Sequence, residues 1–330
     1  MQIHTHVISL LGHVGIPFEQ NNNVSSSFSH AFLRPENDNL SSENSLASSK
    51  GGRIAQQPLS GDQVIGFSNS NQPKDQFDIW VEGKYSEYNS SSGAGQFTIL
   101  HAGADYLLTP NLMVGIGAQF DWTTFDNPSS TGNAEGFGFM VGPYLTTLIN
   151  DNLYFDGRAA WGQSQNSVSP YNTYRDKFTA ERWLITAALI GEFDYGDVKI
   201  SPELRLNWFS ENTDTYVDSL NNTIPSYTIE TGEFLFGPSF SKVIHLDENL
   251  TLEPSLSLNG IWTFANDNTA AQSVSGLHNS PGEGLRAKLE GQLNLTHNNG
   301  LNFSFSSSYD GIGDHDFNAW GIKGRFGFKW

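Results

Sequence analysis

The stretch "LRAKLEGQLNLT", Leu285 to Thr296, decides the fold class. Its odd positions are Leu285, Ala287, Leu289, Gly291, Leu293 and Leu295, and its even positions are Arg286, Lys288, Glu290, Gln292, Asn294 and Thr296. A period of two sustained this long is a strand with one apolar and one polar face. The same alternation runs through "VKISPELRLNW" (Val198 to Trp208), "LTLEPSLSLNGIWTF" (Leu250 to Phe264) and "LMVGIGAQFDW" (Leu112 to Trp122). It closes the chain in "AWGIKGRFGFKW", where Trp320, Ile322, Gly324, Phe326, Phe328 and Trp330 alternate with Gly321, Lys323, Arg325, Gly327 and Lys329.

Composition narrows the classes. The chain has 330 residues, a mean hydropathy of -0.38 and a net charge of -18. So acidic a protein has no basic face for phosphate backbones, which argues against nucleic acid as a partner. It has no cysteine, hence no disulfide framework and no thiolate metal site or nucleophile. No run approaches the ~18 apolar residues of a membrane-spanning helix. The start, "MQIHTHVISLLGHVGIPF", has no Lys or Arg before its apolar stretch and is interrupted by His13, so it reads poorly as a signal peptide.

Two regions differ in texture. Residues 1–76 are rich in Asn, Ser and Gln without a strong period and read as a polar, linker-like extension. Residues 77–330 read as roughly twelve strands, near 77–88, 96–108, 112–125, 134–148, 152–165, 178–194, 197–210, 226–241, 250–265, 284–297, 300–309 and 317–330. These strands exceed the ~5–6 residues of ordinary soluble strands and suit the ~9–11 of a tilted membrane-crossing strand. Tight connections ("TPN", "ND", "YGD", "HLDEN", "NNG") alternate with longer ones, the largest being Asn166 to Lys177, Glu211 to Pro225 and Asn266 to Gly282. In an up-and-down meander all tight turns then fall at one end, the pattern of an outer-membrane barrel.

Tryptophan supports that reading. Trp122, Trp161, Trp208 and Trp262 close strands on the loop side, and Trp183 and Trp320 open strands there. Aromatic rings gather at membrane–water interfaces because they join an apolar body to a polar edge. Trp80 is the exception, near the turn side with inward parity. A soluble sandwich or lipocalin-like barrel would instead turn its apolar faces inward and hold Trp mid-strand. The expected fold is therefore all-β, a transmembrane up-and-down antiparallel barrel. With apolar faces on lipid, the lumen receives Glu82, Lys84, Asp121, Asp156, Arg158, Lys199, Glu203, Arg205, Arg286, Lys288, Glu290, Lys323 and Arg325, and also Asp78, Asp105 and Glu253.

Three stretches carry a resemblance. "FDIWVEGKYSEY" (Phe77 to Tyr88), "LHAGADYLLTPNLMVGIGAQFDW" (Leu100 to Trp122) and the terminal Phe326–Phe328–Trp330 alternation resemble the first strand, the second hairpin and the C-terminal assembly signal of the β-barrel translocator domain of autotransporters, the type V secretion family. The resemblance covers about 77–330. It implies a twelve-stranded barrel in the outer membrane of a Gram-negative bacterium that helps carry an N-terminal passenger to the cell surface. Its implied partners are outer-membrane lipid, the barrel-assembly machinery reading Ile322, Phe326, Phe328 and Trp330, and the chain's own passenger; a monomer is expected. A segment within Ser41 to Asp75 would thread the pore, often as a helix, and the N-terminal segment would reach the surface. With at most about 76 residues ahead of the barrel, too few for a solenoid of stacked repeats, the translocator end of a longer gene product is expected.

No residues nominate covalent chemistry. The His residues are scattered, and no Ser–His–acid set follows from spacing. "DGIGDHDF" (Asp310 to Phe317) reads as a polar surface turn rather than a metal site, and Asn21 to Asn23 as linker rather than a self-cleavage site. Neither cofactor nor catalysis is expected. A passenger-less porin-like or adhesin barrel is the alternative, and a barrel hydrolase a more distant one. "SPYNTYRDKF" (Ser169 to Phe178) and the acidic loop Asp214 to Asp218 are the loops that could meet external partners.

Overall fold

The computed structural model describes residues 77–90, 93–109, 111–127, 132–169, 174–268, 285–315 and 317–329. Among them the secondary structure is entirely β. In chain order the strands are β1 (Phe77–Ser90), β2 (Gly93–Thr109), β3 (Leu112–Asn127), β4 (Gly132–Asn150), β5 (Leu153–Ser169), β6 (Asp176–Gly191), β7 (Phe193–Tyr195), β8 (Val198–Thr213), β9 (Tyr216–Val217), β10 (Thr223–Ile224), β11 (Tyr227–Ser241), β12 (Ile244–His245), β13 (Leu250–Asn268), β14 (Leu285–His297), β15 (Leu301–Ile312) and β16 (Phe317–Lys329).

Every neighbour pair is antiparallel, and β8 also pairs with β11, so the sheet closes on itself. Twelve long staves make the barrel, in the order β1-β2-β3-β4-β5-β6-β8-β11-β13-β14-β15-β16 and back to β1. Short β7 and β12 continue β6 and β11 past local breaks, each pairing with the next stave. The closing seam runs from Asp78 opposite Lys329 to Ser90 opposite Phe317 with no register shift. Closure leaves no free edge, as a membrane-embedded sheet demands.

Side-chain parity sets the two faces. On β6, alternate residues from Asp176 through Phe178, Ala180, Arg182, Leu184, Thr186, Ala188 and Ile190 are buried, while those between them are mostly exposed. Across the barrel the exposed set is Ile79, Val81, Leu100, Ile116, Phe120, Val141, Ile185, Leu189, Leu204, Leu256, Leu258, Leu289, Leu293, Phe303, Phe305 and Ile322. The buried set is rich in Asp, Glu, Lys, Arg, Ser and Asn. That is the reverse of a soluble barrel, and it fits an apolar solvent outside and a polar one within.

The staves run further than the tryptophan positions suggest. β5 continues past Trp161 to Ser169, β8 past Trp208 to Thr213, and β13 past Trp262 to Asn268. Trp161 and Trp183 face each other in mid-stave. The outward face changes character there. On β5 it passes from Ala159 and Trp161 to Gln163, Gln165 and Ser167; on β6 it passes from Ile185 and Trp183 to Glu181, Thr179 and Lys177. The tryptophans therefore mark the upper edge of the apolar band, and the barrel rises beyond it with polar residues outside. Trp161 Nε1–H donates to Glu181 Oε1 at 2.6 Å across this edge, apolar body below and polar edge above. Trp122 with Phe137, Phe234 with Trp262, and Tyr309 with Trp320 form ring pairs at 5.5, 5.9 and 4.6 Å around the same belt.

Candidate functional site

The enclosed face is layered along the barrel axis. Near the tight-turn end, Trp80, Leu107, Met113, Tyr144, Leu148, Tyr154, Ala188 and Ile190 form one apolar cluster. Near the long-loop end, Tyr88, Phe125, Ala134, Val168, Phe178, Ile224, Tyr227, Ile229, Phe317 and Ala319 form another. Most of the charged side chains lie between these layers, fixed to the wall in mixed-sign groups. Trp80 points inward, as its parity requires, and donates from Nε1 to Tyr144 Oη at 3.1 Å; Tyr144 in turn donates to Asp105 at 2.9 Å. The Arg325 guanidinium lies 5.0 Å from the Trp80 ring centre.

Three arginine centres dominate. Arg182 on β6 binds Asp121 on β3 at 2.8 Å and Glu211 on β8, reaching across the two staves between β3 and β6. The reach is possible because β4 places Gly138 beneath it: a Cβ there would lie 1.8 Å from Arg182 Nη1. Arg286 on β14 donates to Asp310 at 3.0 Å, to Thr263 at 3.2 Å and to Glu233 at 3.2 Å, bridging four staves. Arg205 on β8 pairs with Glu203 and lies 3.8 Å from Asp156, which accepts from Thr146 at 3.1 Å. A further group joins Lys288 and Lys323 to Glu290, at 2.6 and 3.4 Å. Glu82, His101, Gln119 and Arg158 continue the polar wall toward β5. Charge-assisted bonds of this kind fix the long side chains in mixed-sign groups on the enclosed face.

The residues expected in the lumen fall as follows. Glu82, Lys84, Asp121, Asp156, Arg158, Lys199, Arg205, Arg286, Lys288, Glu290, Lys323 and Arg325 are buried on the enclosed face, and the Glu203 side chain is enclosed beside Arg205. Sequence reasoning missed Arg182, Glu211, Glu233 and Asp310, which complete the arginine centres. On the outside, Trp122, Trp161, Trp183, Trp262 and Trp320 are exposed and Trp208 is half-exposed. Ile322 and Phe326 are exposed, Phe328 is partly so, and Trp330 lies outside the described residues.

One loop reading needs correction, and a second loop is exposed only in part. "DGIGDHDF" is not simply a surface turn: Asp310 is enclosed and ion-paired, and Phe317 packs in the inner apolar cluster, while His315 is exposed. Among the described residues no His, Asp or Glu group could hold a metal ion. The acidic loop after β8 does not simply face outward. β9 and β10 pair as a small hairpin, and Ile224 from it is fully buried in the loop-end cluster. Tyr216 stacks on Phe178 at 5.2 Å, and Ser219 N–H donates to Asp176 at 2.8 Å. Asp218 accepts from the Leu220 and Asn222 backbone at 3.0 and 2.7 Å and tightens the tip, where Asn221 has a left-handed φ of 64°. Beside the hairpin an open cavity of about 710 Å³ is lined from both faces of the wall, by the inward Thr123, Asn166 and Phe178, the outward Trp122, Phe137 and Lys177, and Tyr216.

With this geometry in hand, comparison with known proteins is informative. The family model described as the autotransporter beta-domain matches residues 79–310. The chain belongs to the autotransporter β-domain family. As such it is an outer-membrane translocator barrel of type V secretion. Its fold is similar to that of the β-domain of the Bordetella autotransporter BrkA (15% identity, TM-score 0.64, over 78% of this chain and 100% of that one). It is similar also to the translocator domain of NalP from Neisseria meningitidis (14%, 0.60, 79% and 90%). A third likeness is to the transport unit of AIDA-I from Escherichia coli (14%, 0.55, 80% and 93%). At these identities the likeness is one of fold. Among curated protein sequences there is no significant match.

Proposed function

We propose that this autotransporter barrel carries the residues ahead of Phe77 through its lumen and displays them on the cell surface. The observation that supports this most is the enclosed face itself: a wall rich in paired charges, interleaved with apolar clusters near both ends and a third of Phe97, Ile99, Met140, Ala160, Leu184 and Phe209. A polypeptide crossing such a wall meets hydrogen-bonding groups between the apolar clusters, where Arg182, Arg205 and Arg286 are already paired with carboxylates. The mechanism is passive, and no side chain takes part in covalent chemistry.

The outer face supports the rest of the reading. An apolar band bounded above by tryptophans suits bacterial outer-membrane lipid, and the tight-turn end then faces the periplasm. Ile322, Phe326 and Phe328 on the last strand, with Trp330 after it, would be read by the barrel-assembly machinery through strand pairing before the seam to β1 closes.

The absence of cysteine makes a direct test simple. Single cysteines scanned over Ser41 to Asp75 would each be combined with Ser304→Cys on the enclosed face, and disulfide formation followed during export. Cross-links over a continuous stretch are expected. A complete absence of cross-links across the scan, with the barrel assembled, would overturn the threading reading and favour a passenger-less barrel.

A further inference from the structure

The seam between β16 and β1 has to find its register, and side-chain parity fixes that only in part. A one-residue slip turns every side chain to the wrong solvent, whereas a two-residue slip leaves both faces as they are. The last strand is repetitive enough to slip. Its inward positions include Gly321, Lys323, Arg325 and Gly327, and its outward ones Trp320, Ile322, Gly324, Phe326 and Phe328. In the register observed, Arg325 stands opposite Glu82 and Gly327 opposite Trp80. Arg325 nevertheless does not hydrogen-bond Glu82, because neither Glu82 oxygen accepts a hydrogen bond among the described residues. Its guanidinium folds toward the turn end and lies 5.0 Å from the centre of the Trp80 ring, inside the ~6 Å at which an aromatic face holds a cation. Gly327 leaves the way clear, since the last strand has no side chain beside the indole at its own level.

The ring that receives Arg325 is braced by the first four staves. Trp80 on β1 lies across β2 and donates from Nε1 to Tyr144 Oη on β4 at 3.1 Å. Tyr144 lies across β3 from the other side and donates to Asp105 on β2 at 2.9 Å. Both crossings run over glycines: a side chain at Gly103 would collide with the indole, and one at Gly115 with the phenol. The two rings meet with centroids 6.3 Å apart and planes tilted by 59°. All three side chains are buried. Every group in this platform comes from β1, β2 or β4, so it needs nothing from the last strand to form.

We infer that Arg325 is a positioning residue for barrel closure: by docking on the Trp80–Tyr144–Asp105 platform it selects, from inside the lumen, the register in which the last strand meets the first. A slip of two residues puts Lys323 or Gly327 in its place. Glycine offers the ring no cation, and Lys lacks the planar guanidinium that stacks on an aromatic face. The inference concerns the seam alone and does not depend on the export reading.

The test reads register directly, in the full chain, which has no cysteine of its own. Gly83 and Gly324 face each other across the seam, and a Cβ at either meets nothing within 4 Å. Gly83→Cys is therefore combined in turn with Gly324→Cys, which reports the observed register, and with Ile322→Cys or Phe326→Cys, which report slips of two. Outer membranes holding each chain are treated with a short bifunctional thiol reagent. The natural background should cross-link through position 324 alone. Arg325→Met should lower that yield several-fold and bring up a slipped pair. Trp80→Leu should do the same, and the two together should do no more than either. Trp80→Phe, which keeps a ring, should hold most of the natural yield, and so should Lys323→Met, which removes the neighbouring inward cation. Where a variant fails to assemble in cells, the chain refolded in detergent gives the reading. An undiminished 324 cross-link without slipped pairs in Arg325→Met overturns the inference. Equal slippage in Lys323→Met overturns it too, because luminal charge rather than docking on the ring would then set the register.

Discussion

Leu289 and Glu290 are neighbours on β14, yet Leu289 is 41% exposed and Glu290 is 9% exposed. The same contrast runs round the barrel. Outside, alternate residues are Leu, Ile, Val, Phe and Gly up to the tryptophan belt; inside, carboxylates, arginines, lysines and small polar groups are interleaved with apolar clusters. A soluble barrel uses this period with the opposite assignment. The difference teaches that period two fixes the strand, whereas strand length, loop alternation and belt position decide which face meets which solvent.

The largest expected effect breaks the contrast at its origin. Deleting Phe328 to Trp330 removes the terminal aromatics and should abolish outer-membrane assembly, read as loss of the heat-modifiable form in membrane fractions. Normal assembly after the deletion would remove these residues from any signalling role. Next, Arg286→Met leaves Glu233 and Asp310 enclosed without their shared cation and should cost about 3–5 kcal/mol of barrel stability, measured by reversible urea unfolding in detergent or lipid. Double replacement with Glu233→Gln should recover part of that loss.

A pair of substitutions three residues apart sharpens the comparison of faces. Leu289→Lys puts a charge in the apolar band and should cost about 2–4 kcal/mol. Gln292→Lys, on the enclosed face of the same strand, should cost less than about 1 kcal/mol. Equal costs would mean that both faces see the same solvent. The smallest effect belongs above the belt. Glu181→Ala removes the acceptor of the Trp161 indole at an exposed position and should change stability by less than about 1 kcal/mol.

Much of this was legible in the sequence. Parity alone places Lys84, Arg286, Lys288, Lys323 and Arg325 on one face and Ile322 and Phe326 on the other. The centre of each strand is legible because the period is cleanest there. The ends are not. With Trp208 taken as the close of its strand, Glu211 falls in a loop, although the alternation continues through Phe209, Glu211 and Thr213, all buried. Arg182 and Glu233 follow the same parity rule and were findable. Asp310 was not, because Gly311 and Gly313 with their left-handed φ of 101° and 90° advertise a turn while the carboxylate before them still faces inward. The inward hairpin of β9 and β10 is equally invisible to local pattern. Its Asp, Asn and Ser residues look like solvent-facing loop, and only the stacking of Tyr216 on Phe178 and the burial of Ile224 reveal its direction. Tertiary contacts decide such segments, and a single sequence does not carry them.

The export account is tested most directly on intact cells. The full chain with an N-terminal epitope would be expressed in a Gram-negative host, and external protease added to whole cells. The epitope should be lost from intact cells while the barrel remains as a heat-modifiable, protected core. An assembled barrel whose epitope survives external protease, and is cleaved only after the outer membrane is opened, would contradict the account.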